Sequence, residues 1–160
     1  GLHTARSPMA RSNRAVVVEG YTDVIACHLA GIDTAVATCG TALGEDHFDL
    51  LRRFADRVVL AFDADEAGAG AALRGGELST PTDVGLDLRV ARMPAGRDPA
   101  DLLADGEADL LRKAIDESEP FLAFQIDRVL AGHDLTEVEG RHTVPHDFNG
   151  ARDDLRQLGV

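Results

Sequence analysis

Three short apolar runs in this chain each end in carboxylates. Ala15-Val-Val-Val18 is followed by Glu19-Gly-Tyr-Thr-Asp23, Val58-Val-Leu-Ala-Phe62 by Asp63-Ala-Asp65, and Leu86-Asp-Leu-Arg-Val-Ala-Arg-Met93, after a short loop, by Asp98-Pro-Ala-Asp101. If the runs are parallel strands of one sheet, the acids collect along its carboxyl edge, where open α/β sheets bind ligands. Asp63 and Asp65 are two apart, so in extended chain their side chains leave on the same side. Glu19 and Asp23 are four apart and share a face if a helix begins near Gly20 or Tyr21. Two carboxylates about 5 Å apart repel by roughly 3 kcal/mol at an effective dielectric near 20. Several ionised acids on one edge therefore require a proton or a cation. Carboxylate oxygens without a Cys or His cluster suit Mg2+ or Mn2+, and zinc is not expected. A lone pair of acids is ordinarily solvated surface; three clusters, each after an apolar run, point to the ligand edge.

Between the runs the pattern alternates. Tyr21 to Ala30 reads as a helix closed by Gly31, Thr34 to Thr38 as a second strand, and Cys39 to Gly44 as a loop. Phe48, Leu50, Leu51 and Phe54 give Glu45 to Phe54 near-helical spacing. Asp65 to Leu78 is alanine-rich, with Gly68 and Gly70 as weak points. The order β-α-β-α-β-α-β predicts an α/β fold: a Rossmann-like sheet of about four parallel strands covered by helices, with right-handed crossovers. Residues 1–14 read as a basic linker, 15–93 as the α/β core, 94–140 as a C-terminal helical annex and 141–160 as a divergent tail. The annex shows helical stretches near Ala100 to Leu103, Ala108 to Ser118 and Pro120 to His133, the last with a stripe of Phe121, Phe124, Ile126 and Val129 with Leu130 that reads as core or partner contact. His142 and His146 are four apart, but Pro145 interrupts a helix there and argues against a metal site.

At 160 residues, 44% apolar and 28% charged, the chain suits one soluble domain with a core. Cys27 and Cys39 have neither zinc spacing nor disulfide density, and both read as small buried residues in a reducing cytoplasm. No run approaches the roughly 18 apolar residues of a membrane span, and a cytoplasmic location is expected. The net charge of −12 argues against direct nucleic-acid binding; residues 1–18 hold three arginines and no acid, so the remainder carries −15. A phosphate backbone approaches such a face only through bound cations or beside a basic surface from another domain.

The residues Val16-Val-Val-Glu-Gly-Tyr-Thr-Asp-Val-Ile25, Ala35-Val-Ala-Thr-Cys-Gly-Thr-Ala-Leu43 and Phe62-Asp-Ala-Asp-Glu-Ala-Gly68, in this order, resemble the Toprim (topoisomerase-primase) domain of bacterial DnaG-type DNA primases. The likeness runs from about Gly1 to Gly140. Cys39 departs from it, standing where primases more often have an apolar residue such as leucine. The resemblance implies a nucleotidyltransferase: a DNA-directed RNA polymerase that makes short RNA primers on single-stranded DNA from ribonucleoside triphosphates during replication. It implies Glu19 as a metal ligand or acid/base group, Asp63 as a shared ligand and Asp65 as ligand of a second ion, with Asp23 and Asp98 as outer ligands or orienting groups. Arg97 is expected to pair with an acid or to meet a phosphate, and Gly20 to keep side-chain bulk from an incoming phosphate. Primases also carry a zinc-binding domain, a basic amino-terminal half of the polymerase core and a domain that meets the replicative helicase. None is represented here, so the isolated chain is expected to be incomplete and weak or inactive alone. The alternatives are a non-catalytic Toprim docking module or another Toprim enzyme, topoisomerase- or nuclease-like. Strand cleavage needs a nucleophile, and Tyr21, the one tyrosine, reads as a packed ring.

Overall fold

A computed structural model describes residues 1–41, 43–62, 85–94 and 96–131. The chain divides into two compact units, Gly1–Ser118 and the residues from Glu119 onward. The first unit holds α1 (Leu2–Ser12), β1 (Arg14–Val18), α2 (Tyr21–Leu29), β2 (Ala35–Ala37), α3 (Glu45–Leu51), β3 (Arg57–Leu60), β4 (Asp87–Val90), α4 (Pro99–Ala104) and α5 (Ala108–Asp116). The second holds the two-residue strand β5 (Glu119–Pro120) and α6 (Phe121–Ala131), whose Phe121 and Phe124 are buried. The helix expected over Asp65 to Leu78, the loop at Ser79 to Asp83 and the tail with His142 and His146 lie outside the described residues.

In the first unit four strands run parallel in the order β2-β1-β3-β4. Val17 pairs with Val36 on one side and Leu60 on the other, and Val59 with Arg89. Val16, Val17 and Val18 are 0%, 2% and 0% exposed, so β1 is covered on both faces, as a central strand of a parallel sheet must be. Branched side chains stiff at χ1 fit that pleated surface, which is why these valine runs become strands.

Two helices end by the same device. Gly31, with φ +83°, follows α2, and the next amide, Ile32 N–H, donates to Cys27 C=O at 2.8 Å. After α4, Gly106 has φ +77° and Glu107 N–H donates to Leu102 C=O at 2.8 Å. A left-handed residue one past the helix lets the following amide reach back to an orphan carbonyl, and glycine adopts it without strain. Arg112 then donates to Ala30 C=O at 2.7 Å and fastens α5 to the end of α2.

Two boundaries differ from expectation. Residues 1–14 are not a linker: α1 buries Ala5 and Met9 completely, and Asn13, at φ 52°, ends the helix and exchanges hydrogen bonds with Asp56. The helix continues through Pro8, a residue that removes one internal amide and so reads as a breaker. Nor does a boundary fall at 93/94. Leu102, Leu111 and Ile115, from α4 and α5, share one core with Val16, Val18 and Val59. Burying that stripe on the sheet, at about 1.5–3 kcal/mol per large side chain, makes these helices part of the first unit.

Candidate metal site at the carboxyl edge of the sheet

From β1 the chain crosses to β2 on one side, then returns past β1 to β3 on the other. The carboxyl edge between β1 and β3 is thus the point where strand order reverses, the place at which open α/β sheets leave a crevice. Glu19 directly follows β1 there, with an exposed side chain, and its backbone carbonyl accepts Cys39 N–H at 2.9 Å. On β3 the ladder runs one step further, with Ala61 N–H donating to Val17 C=O at 2.8 Å. Phe62 closes that run and the sequence continues into Asp63 and Asp65, which lie outside the described residues.

Asp23 and Asp98 occupy the same end of the sheet and each first serves a helix. Asp23 is 5% exposed; its Oδ2 accepts Gly20 N–H at 3.0 Å in the first turn of α2. Its other oxygen, Oδ1, is buried without a well-formed hydrogen bond among the described residues. Burial is the main cause that raises this carboxyl above its ordinary pKa. The Gly20 bond opposes the rise, Asp98 adds to it, the Ala100 amide opposes it, and Asp101 adds again. Asp98 is the N-cap of α4: its Oδ1 accepts Asp101 N–H at 2.7 Å, while Asp101 returns a longer contact to Asp98 N–H at 3.4 Å. Pro99 at the first helical position fits a site whose amide has no helical acceptor. Since α2 packs on α4, the acids at their starts face one another.

A divalent cation can be tested against these residues. The donors are carboxylate oxygens, and Asp23 Oδ1 is a buried acceptor without a well-formed hydrogen bond among the described residues; both suit Mg2+ or Mn2+. Among the described residues no three His, Cys, Asp or Glu side chains come close enough to hold an ion. The described acids therefore supply part of a ligand set. Both cysteines are free.

Arg97 makes the acid pairing expected of it, whereas Tyr21 and Cys39 sit differently from their sequence reading. Arg97 is committed to two acids, Asp105 at 2.6 Å and Glu107 at 2.5 Å. Gly20 spares the capping carboxylate: a Cβ there would lie 3.3 Å from Asp23 Oδ2. Tyr21 is 72% exposed instead of packed, because α2 turns its other face to the sheet and α4. Cys39 is exposed at φ 54° in the turn after β2, whereas Cys27 is buried and its thiol is pushed up to about 12, mainly by burial and then by Asp23. Tyr21 and Cys39 instead line a cleft of about 300 Å³ with Ile25, Leu43, His47 and Leu50, and among the described residues no carboxylate borders it. Asp101 was not singled out as a site residue, although its three-residue spacing from Asp98 matches a capping box.

The family model for the Toprim domain matches residues 13–92, half of the chain. A DNA primase of Streptomyces coelicolor is 44% identical over 147 residues, covering 88% of this chain and 22% of the relative. One from Mycolicibacterium smegmatis is 42% identical over 148 residues, covering 88% and 23%. The chain thus spans less than a quarter of these curated relatives. Among solved structures, the RNA polymerase domain of Mycobacterium tuberculosis primase DnaG, in complex with a double-stranded DNA oligomer with a 6-nucleotide overhang, superposes with a TM-score of 0.74 at 39% identity, over 91% of this chain and 47% of that one. Parallel strands with acids at a switch point, a matching family model and primase relatives agree: the chain belongs to the Toprim-domain family, and its likeness within that family is to DnaG-type DNA primases.

Proposed function

We propose that this chain is the metal-binding, catalytic portion of a DNA primase that makes short RNA primers on single-stranded DNA from ribonucleoside triphosphates. The observation that carries the reading is the placement of Glu19 at the end of β1, beside the β3 run that leads into Asp63 and Asp65, at the switch point of a Toprim sheet. Mg2+ or Mn2+, when bound, supplies charge neutralisation of the triphosphate and of the attacking 3′-oxygen. Glu19, Asp63 and Asp65 would hold it, with Glu19 serving as a ligand or as the acid/base group that takes the proton of the attacking hydroxyl. Asp23 and Asp98 orient this set from their helix starts, each immobilised by a bond to backbone N–H. The template enters through a basic surface from the remainder of a primase core, because a chain of net charge −12 has few cations to exchange for counterions. The helicase contact belongs to a further domain, and the setting is the cytoplasm. Among the described residues no helix is long and apolar enough to cross a membrane.

The test is a chimera in which this chain replaces the Toprim segment of a relative such as the Streptomyces primase. Metal-dependent primer synthesis is expected, with Glu19→Gln and Asp63→Asn each reducing it by about 10²-fold or more. Wild-type-like synthesis by either variant contradicts the assigned roles. An inactive chimera whose assembly is indifferent to chelator would identify a docking module.

A further inference from the structure

Arg97 lies in the loop between β4 and α4, one residue before the cap Asp98, yet both of its side-chain ion pairs are beyond the far end of that helix. Its Nη2 meets Asp105, the C-cap of α4, at 2.6 Å, and its Nη1 meets Glu107, the N-cap of α5, at 2.5 Å. At 1.5 Å rise per residue, the six residues of α4 span about 9 Å, so the guanidinium ties the start of the helix to its end. Between the two acids stands Gly106, and the turn around it is closed by the Glu107 N–H bond to Leu102, whose side chain is fully buried. The far anchor is therefore built into the core. The near end leads into the start of α4, which packs on α2 and carries Asp98 and Asp101, whose charges act on Asp23.

We infer that Arg97 is a positioning residue: by clamping the Asp105–Glu107 corner it sets the direction in which Asp98 and Asp101 face Asp23 at the carboxyl edge. The inference rests on that edge being the metal half-site proposed above. Exposed ion pairs add little to global stability. One planar guanidinium shared by two carboxylates fixes orientation, which the point charge of a lysine does not.

The experiment uses the whole chain and follows amide hydrogen exchange at Asp101, donor of the 2.7 Å cap bond, together with Mn2+ titration. Arg97→Ala should speed Asp101 exchange by up to about tenfold, the range two exposed ion pairs carry, while Val17 and Val59 in the sheet keep their protection. Asp105→Asn with Glu107→Gln should reproduce the effect without adding to it, and Arg97→Lys should restore part of it. The same Arg97→Ala chain should bind Mn2+ several-fold more weakly. Asp101 exchange within twofold of wild type in Arg97→Ala would overturn the clamp. Faster exchange with an unchanged Mn2+ midpoint would overturn its role at the site. Failure of the wild-type chain to bind Mn2+ would instead refute the half-site, and the positioning role with it.

Discussion

Replacing Asp23 separates its charge from its hydrogen bond. The side chain is buried, accepts Gly20 N–H with one oxygen at 3.0 Å, leaves the other without a well-formed hydrogen bond among the described residues and faces Asp98 and Asp101. Its carboxyl is raised, chiefly by burial. Over the pH range between the ordinary carboxylate value and the raised one, the folded state holds more protons than the unfolded state, so stability falls as pH increases. Asp23→Asn keeps an oxygen for the Gly20 amide and removes the buried charge. Without divalent ions at pH 7 it should be as stable as wild type or more so, and the difference should vanish in acid below the ordinary carboxylate range. Asp23→Ala also removes the acceptor of the half-buried Gly20 N–H and should be less stable than Asp23→Asn by about 0.5–1.5 kcal/mol, the net worth of one intramolecular hydrogen bond. Urea unfolding of the three chains at both pH values, with unchanged m, measures this directly. A loss of several kcal/mol for Asp23→Asn at pH 7 would refute the reasoning, because the charge would then be a net contributor to the fold.

Leu102, fully buried in the core shared by the sheet, α4 and α5, should cost about 2–5 kcal/mol when cut to alanine, read from the same urea transitions; a loss below 1 kcal/mol would mean that α4 is not part of the sheet's core. The two thiols should differ sharply. Exposed Cys39 should react with a thiol reagent in the native chain, and Cys27, buried with its thiol pushed up to about 12, only on unfolding, as mass spectrometry of labelled peptides would show.

The sheet was legible because its two central strands are valine runs and the crossover from α2 ends at Gly31, whose φ of +83° the backbone needs. Helix α1 was not, since Pro8 and the arginines hide a stripe that consists of little more than Leu2, Ala5 and Met9. The acids at the strand ends were legible as an edge, but not their division of labour. Gly20 at the N-cap conceals the bond that Asp23 makes three residues on, since a capping box is read from a serine or threonine there. Tyr21 escaped for a different reason. Which face of α2 meets solvent is decided by α4, more than 70 residues away in the sequence, and no local pattern reports that. The same distance hides Arg97's attachment, because the spacing from 97 to 105 and 107 matches no helical register and closes only around the Gly106 turn.

Under the proposed function, Glu19, Asp63 and Asp65 would together hold a divalent cation at the carboxyl edge of the sheet. Mn2+ added to isotopically labelled chain should broaden the amide resonances around Glu19, Gly20 and Asp63 to Asp65 first, and Asp63→Asn should abolish that selective broadening while leaving the fold intact. Broadening centred on His142 to Asp147, or a wild-type pattern in Asp63→Asn, would contradict the claim.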